Sequence, residues 1–516
     1  MTAEPLPPQQ THVNKRNISI WTDERLFGHR FHNEQTPWIV LLEFLAVFRS
    51  RMDQGCALRE PRKAGAHEDV RYDIARFPHL RYLVFNNPHL QHVEQTVSGD
   101  SEQWRRWLKA VGDVPLEGGF EYLRPRFQTF SRFVRVVEFF QNTAVEPHRQ
   151  RRWSSRFVFP YGPDCIYADT DGKNGLGTPD RLFFARAGEL LYLMLNRSGC
   201  GEELAERISS KLMRRDDEWN LLATALQPDG GPPDFHPVQN IPGGYLPYPE
   251  RSEYKELARD WLMLLRANLP GPALLDPLMR VTGLHLIRYL LRRASECAGE
   301  ERPPRLVLEI AAPRKTLLFD LSNETYKTNR SLPARAIEAD LQLTRRSEEW
   351  KAALRAQEPA LEAFSVLQHH YRWKRSEPPG GDPEQIFEAL RKAAIEKHQQ
   401  HVGKVVPEWG REIGLSTSRR GVGTWYAPDD AFLKALIIAS VDEREEYHRF
   451  LSRLYERYGL VIGVAEAERA YGRLPTDERV FVENAARLEQ RLRTLGLLQR
   501  LSDDCAYVTN PFKAVR

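Results

Sequence analysis

The sequence predicts a mainly α-helical chain with small β elements (α+β), built as a multidomain helical body with a C-terminal winged helix-turn-helix-like module. Two observations carry that expectation. Apolar residues recur at the helical period over long stretches, including 37–51, 101–111 and 251–300, whereas β-like runs are short and few. From residue 428 onward, helices precede one further helix and a strand-turn-strand pattern, the order of a winged-helix domain.

Length and composition bound the classes. The 516 residues allow roughly three to five domains. With 28% charged and 41% hydrophobic residues the chain is neither disordered nor fibrous. Lys and Arg total 74, of which 15 are Lys, leaving 59 Arg against a formal net charge of only +4. Cys56, Cys165, Cys200, Cys297 and Cys505 are scattered singly, which argues against a disulfide framework or thiolate zinc site and suits a cytoplasmic location. The most apolar run, Trp38 to Phe48, is interrupted by Glu43 and too short for a bilayer, so no membrane partner is expected.

Taken in order, residues 1–16 are rich in Pro, Gln and Thr and read as a flexible tail. Residues 17–226 read as an N-terminal helical domain with a small β-hairpin. Thr36-Pro37 starts a helix that is apolar on nearly all sides. Trp104 and Trp107 mark a second helix, and Pro125 to Asn142 a third. SSRFVFPYG and CIYAD form the expected hairpin, before a helix over Ala187 to Asn196. Residues 227–250 are a Pro/Gly-rich linker or loop. Residues 251–427 form a middle, mainly helical domain, in which RLVLEIAAPRKTLLFDLS is the best strand candidate and Asp382-Pro383 starts a helix.

Residues 428–516 carry the winged-helix-like pattern. Asp429 and Asp430 can cap AFLKALIIAS, a second helix runs from about Glu443 to Tyr458, and a short LVIG follows. Asn484 can cap a helix that turns Ala485, Leu488, Leu492 and Leu495 inward, ahead of the LLQRL-SDD-CAYVT hairpin.

Candidate nucleic-acid contacts are arginines. Arg149, Arg151, Arg152 and Arg156 surround Trp153, interleaving charge with an aromatic ring, as phosphate contact with base stacking requires. Arg419 and Arg420 sit among glycines beside Trp425 and Tyr426, which could stack. On the last helix, Arg487, Arg491 and Arg493 lie off the apolar face and could reach double-stranded DNA. His398 and His401 share a helix face without a third ligand, so a solvated polar face is expected there. No metal site and no cofactor is predicted, and no P-loop, GxSxG or HExxH motif occurs.

Three segments carry a resemblance: LFGHRFHNEQTPWIVLLEFL (26–45), RRWSSRFVFPYGPDCIYAD (151–169), and FLKALI with FLSRLYERYGLVIG (432–463). They resemble a family of unassigned biochemistry encoded in multi-gene bacterial antiphage defence loci, notably the methylation-associated defence type. The resemblance implies a cytoplasmic setting beside a DNA methyltransferase, ATPases and other defence-system proteins, and designates no site residue. The expectation is a non-enzymatic structural or nucleic-acid/protein-binding subunit of such an assembly. The alternative is a metal-dependent nuclease or nucleotide-handling enzyme whose site assembles only in the fold, for which Asp169, Asp171 and Glu309 with Lys315 are candidates.

Overall fold

A computed structural model describes residues 19–29, 31, 35–59, 72–75, 77–85, 87–114, 116–142, 162–166, 187–229, 235–237, 246, 250–310, 317–502 and 505–513. The described chain is mainly helical with small sheets, and none of its helices is long and apolar enough to cross a membrane.

From the N-terminus, α1 (Asp23–Phe27) and α2 (Pro37–Asp53) precede β1 (Asp73–Ala75) and the helices α3 (Pro78–Phe85), α4 (His89–Thr96), α5 (Asp100–Val111), α6 (Leu123–Arg126) and α7 (Phe130–Asn142). Next come α8 (Ala187–Asn196), α9 (Gly201–Leu212), α10 (Glu218–Ala225) and β2 (Phe235–Pro237). The pair α11 (Ser252–Arg266) and α12 (Gly271–Cys297) leads through β3 (Leu306–Val307) to α13 (Leu317–Arg345). Then follow α14 (Glu348–Ala353), α15 (Pro359–Tyr371), α16 (Pro383–Gln400), α17 (Val405–Glu412) and the hairpin β4 (Ser416–Arg419) and β5 (Gly423–Tyr426). The C-terminal elements are α18 (Asp430–Ser440), β6 (Arg444–Glu446), α19 (Tyr447–Tyr458), β7 (Leu460–Val461), α20 (Val464–Tyr471), α21 (Glu478–Thr494), β8 (Leu498–Arg500) and β9 (Ala506–Thr509).

The start of α2 follows from its sequence. The Thr36 hydroxyl accepts a hydrogen bond from the Ile39 amide at 3.3 Å, and Pro37 occupies the first helical position, where no amide is needed. α8 lies directly against α2, which explains why α2 is apolar all round. Gly188 sets their closeness: a Cβ there would stand 2.5 Å from Glu43 Cβ and 2.6 Å from the Phe44 nitrogen. The buried Glu43 carboxylate accepts from the Gly188 amide at 2.8 Å and from Gln35 Nε2 at 3.0 Å. Gly188→Ala is therefore expected to force the helices apart and cost about 1–3 kcal/mol, measured by urea unfolding. An unchanged midpoint would mean the pair can slide without loss.

A satellite core gathers α3 to α7 and α10 around Trp104, Trp107, Phe130 and Phe133, with Trp104 stacked on Phe133 at 5.2 Å between ring centroids. The helix expected over 125–142 is split into α6 and α7. Phe127 adopts extended backbone, and the Asp100 carboxylate accepts from the Phe130 amide at 2.5 Å, giving α7 its own start.

The main core is continuous from α1 to β9, crossing positions 250 and 427. α12 lies at its centre, packed on α11, α13, α17 and α18. Of the strand expected in 305–322, the described residues form Leu306–Val307, which pairs in parallel with β7 (Leu306↔Leu460), while 311–316 lie outside the described residues. From Leu317 the chain is helical, since Leu318, Ser322, Thr325 and Tyr326 bury one face at helical spacing. Part of the Pro/Gly-rich stretch pairs with β1 as the antiparallel strand β2.

The face carrying His398 is not solvated at that residue. His398 is buried, with Nδ1 2.9 Å from Asp23 Oδ1, while Lys397 Nζ donates to Glu24 at 2.6 Å, so α16 clasps α1. Burial alone would raise the Asp23 carboxyl. The hydrogen bond and charge of His398 outweigh it and hold that carboxyl below its usual range.

Candidate nucleic-acid interface

The C-terminal unit is built from local signals and one tertiary sheet. Asp429 caps α18 by accepting from the Phe432 amide at 2.7 Å. The helix expected from Glu443 starts instead at Tyr447, because Glu446 caps it by accepting from the amides of His448 and Arg449. The preceding residues become β6. Gly459, at φ +72°, ends α19 in the left-handed conformation that glycine tolerates. β6, β9 and β8 form an antiparallel sheet in that order, with Leu498↔Val508 and Glu445↔Val508 in register.

α21 begins at Glu478 with Asp477 as its cap, so Asn484 is a buried interior residue and not the cap its sequence suggested. Phe481, Asn484, Leu488 and Leu492 face inward, leaving Arg479, Val482, Gln490, Arg493 and Thr494 exposed. The three sequence-predicted arginines of this helix have different surroundings. Arg487 pairs with Glu483 at 2.9 Å. Arg491 Nε donates to Asp430 at 2.6 Å and its Nη1 to the Pro428 carbonyl at 2.9 Å, tying α21 to the start of α18. Arg493 stands exposed, in no ion pair among the described residues.

Arg419 and Arg420 occupy the exposed tip of the β4–β5 hairpin, where Gly421 and Gly423 take φ of +77° and +116°. Trp425 and Tyr426 do not stack beside them. Trp425 packs edge-on against Phe319 of α13 at 4.7 Å, and the buried Tyr426 hydroxyl accepts from Asn329 at 3.0 Å. An apolar pair next to a turn is covered by the nearest helix, which the local sequence could not reveal.

Arg149, Arg151, Arg152, Arg156, Asp169, Asp171 and Lys315 lie outside the described residues. Glu309 is buried beside the hairpin, its amide donating to the Tyr426 carbonyl at 2.9 Å. Among the described residues, no group of three or more His, Cys, Asp or Glu side chains is placed to hold a metal ion.

The unit is fastened to the helical body by a polar knot that sequence reasoning missed. The fully buried Asp260 of α11 accepts from the Tyr458 hydroxyl at 2.7 Å and from Arg457, both on α19, and lies 2.7 Å from His285 Nε2 on α12. Burial draws the His285 pKa down to about 3, so the ring is neutral, and with its proton on Nε2 it donates to Asp260. A carboxylate among Leu257, Trp261 and Leu264 was the available signal, because a charge on an apolar helix face calls for a partner.

The chain matches no family model, no curated protein and no solved structure.

Proposed function

We propose that this protein is a non-enzymatic binding subunit of a multi-gene bacterial antiphage defence assembly, and that its C-terminal unit is a winged-helix module contacting double-stranded DNA. The observation that carries the reading is the order α18, β6, α19, α21, β8, β9 combined with the sheet order β6-β9-β8. In such modules the helix before the last hairpin enters the major groove, and here that helix is α21. The inserted β7 and α20 depart from the simplest form of the pattern and dock the module on β3. The resemblance of residues 26–45, 151–169 and 432–463 to a defence-locus family supports the setting.

The surroundings of the arginines dictate the test. Arg491 is a poor probe, since removing it cuts the tie to Asp430. Arg479 and Arg493 are exposed and can be changed together without disturbing the inner face of α21. With a fluorescent duplex, R479A/R493A is expected to weaken binding and to lower the slope of log affinity against log salt by about two, at ~0.9 for each lost phosphate contact. A parent chain that ignores duplex DNA, or an unchanged slope in the folded variant, would instead make this surface a docking site for another defence protein.

A further inference from the structure

A cleft of about 440 Å³ lies at the seam between the helical body and the C-terminal unit. One wall is α12 with the Arg302–Leu306 segment, and the other is α19 and α20. Its lining contains five arginines, Arg288, Arg292, Arg302, Arg305 and Arg469, against two carboxylates, Glu256 and Glu456. The excess is three positive charges.

The five are not equivalent. Arg288 is matched by Glu256 at 3.0 Å and Arg469 by Glu456 at 3.0 Å. Arg302 and Arg305 have no carboxylate partner among the described residues. Each uses Nη1 to donate to carbonyls at the C-terminal end of α20: Arg302 to Tyr471 at 3.1 Å, Arg305 to Ala470 at 2.6 Å. Arg305 also lies 3.7 Å from the centre of the Tyr471 ring. The negative end of the helix dipole favours cations there, but neutral carbonyls do not cancel two whole charges. A guanidinium has five N–H donors, so each retains donors beyond its Nη1 contacts. Arg292 adds a third cation, only loosely paired with Glu253 at 3.7 Å because Glu253 is already held by Arg251 at 2.9 Å.

Positioned guanidiniums without counter-charge suit a phosphate, which they can grip through paired N–H donors. Apolar or aromatic residues in the rest of the lining include Leu291, Pro303, Pro304, Leu306 and Tyr455. That wall suits a flat, weakly polar body joined to the phosphate. The volume falls within the range of small-ligand sites. We propose that this cleft binds a small nucleotide, its phosphates held by Arg302, Arg305 and Arg292 and its base against the Pro303–Pro304 and Tyr455 wall. Because the walls belong to the body and to the C-terminal unit, the bound nucleotide clamps one to the other.

The test uses the full chain in calorimetric titrations with ADP, adenosine, inorganic phosphate and a 5′-phosphorylated single-stranded oligonucleotide, without added metal. ADP is expected to bind, adenosine to give no heat at the same concentration, and inorganic phosphate to bind about tenfold or more weakly than ADP. R302A and R292A, each checked for unchanged circular dichroism, are expected to weaken ADP binding by about tenfold or more, as the loss of a charge-assisted contact predicts. R292A keeps the test sound if R302A fails to fold, since Glu253 stays paired with Arg251. R479A/R493A is expected to bind ADP like the parent, which separates this site from the proposed DNA surface. No heat with ADP at millimolar concentration, unchanged affinity in R292A, adenosine or inorganic phosphate matching ADP, or an oligonucleotide outcompeting it would overturn the proposal.

Discussion

Replacing Asp260 by Ala is expected to destabilise the protein by about 3–5 kcal/mol, because it strands a buried charge without its counter-ion. The Arg457 side chain is only 12% exposed, and its recorded carboxylate partner is Asp260. Tyr458 and His285 lose their acceptor in the same step. His285 cannot compensate: held neutral by burial, with Nδ1 unpartnered among the described residues, it supplies no charge. Urea unfolding with a fixed-slope analysis reads the loss. The double variant Asp260→Leu/Arg457→Leu separates a stranded charge from lost packing. Removing both ions is expected to leave a smaller deficit than D260A alone, since paired buried ions are replaced by apolar surface. Equal deficits would mean that the knot acts through shape and not through charge.

Where a structural decision was local, the sequence sufficed. Thr36, Asp382 and Asp429 were recognisable as caps because an N-cap needs only a short oxygen-bearing side chain beside amides two or three residues on. The Leu498–Thr509 hairpin was recognisable from its turn and alternation. Decisions made by distant partners were hidden. β3 is two residues long and exists because β7, over 150 residues later, lies beside it. His398 looked like one of two polar residues on an open face, yet Asp23 near the other end of the chain draws it inside. The site shows the same division: the outward position of Arg493 follows from helical period alone, whereas the binding of Arg491 to Asp430 depends on how two helices meet. The cleft arginines could not be grouped in advance, because they come from α12, the segment before β3, and α20.

Asn484→Leu is the second change expected to act strongly, and it tests how the C-terminal unit is joined to the body. The Asn484 side chain is completely buried on α21. Its Oδ1 accepts from the Ile310 amide at 2.8 Å, while Nδ2 donates to the carbonyls of Leu308 at 2.9 Å and Ile462 at 3.0 Å. One amide thus saturates backbone groups just beyond β3 and β7, where the parallel pair ends and its ladder no longer supplies partners. Leucine has similar bulk and better helix propensity, so the helix itself should not suffer. What remains is one buried N–H and two buried carbonyls without their recorded partner, at about 1–3 kcal/mol for each group left unsatisfied. The expected loss is about 3 kcal/mol or more. Arg487→Ala, one turn further along the same helix, removes only a surface pair with Glu483 and is expected to cost under about 1 kcal/mol. Hydrogen exchange locates the effect: the Ile310 and Leu308 amides should lose protection in N484L before the amides of α12 do, since the junction opens while the central core stays closed. If N484L unfolds within 1 kcal/mol of the parent, or if α12 loses protection together with Ile310, the amide is not the cross-link between the ends of the two strands, and apolar packing of Val307, Val461 and Phe481 carries the junction instead.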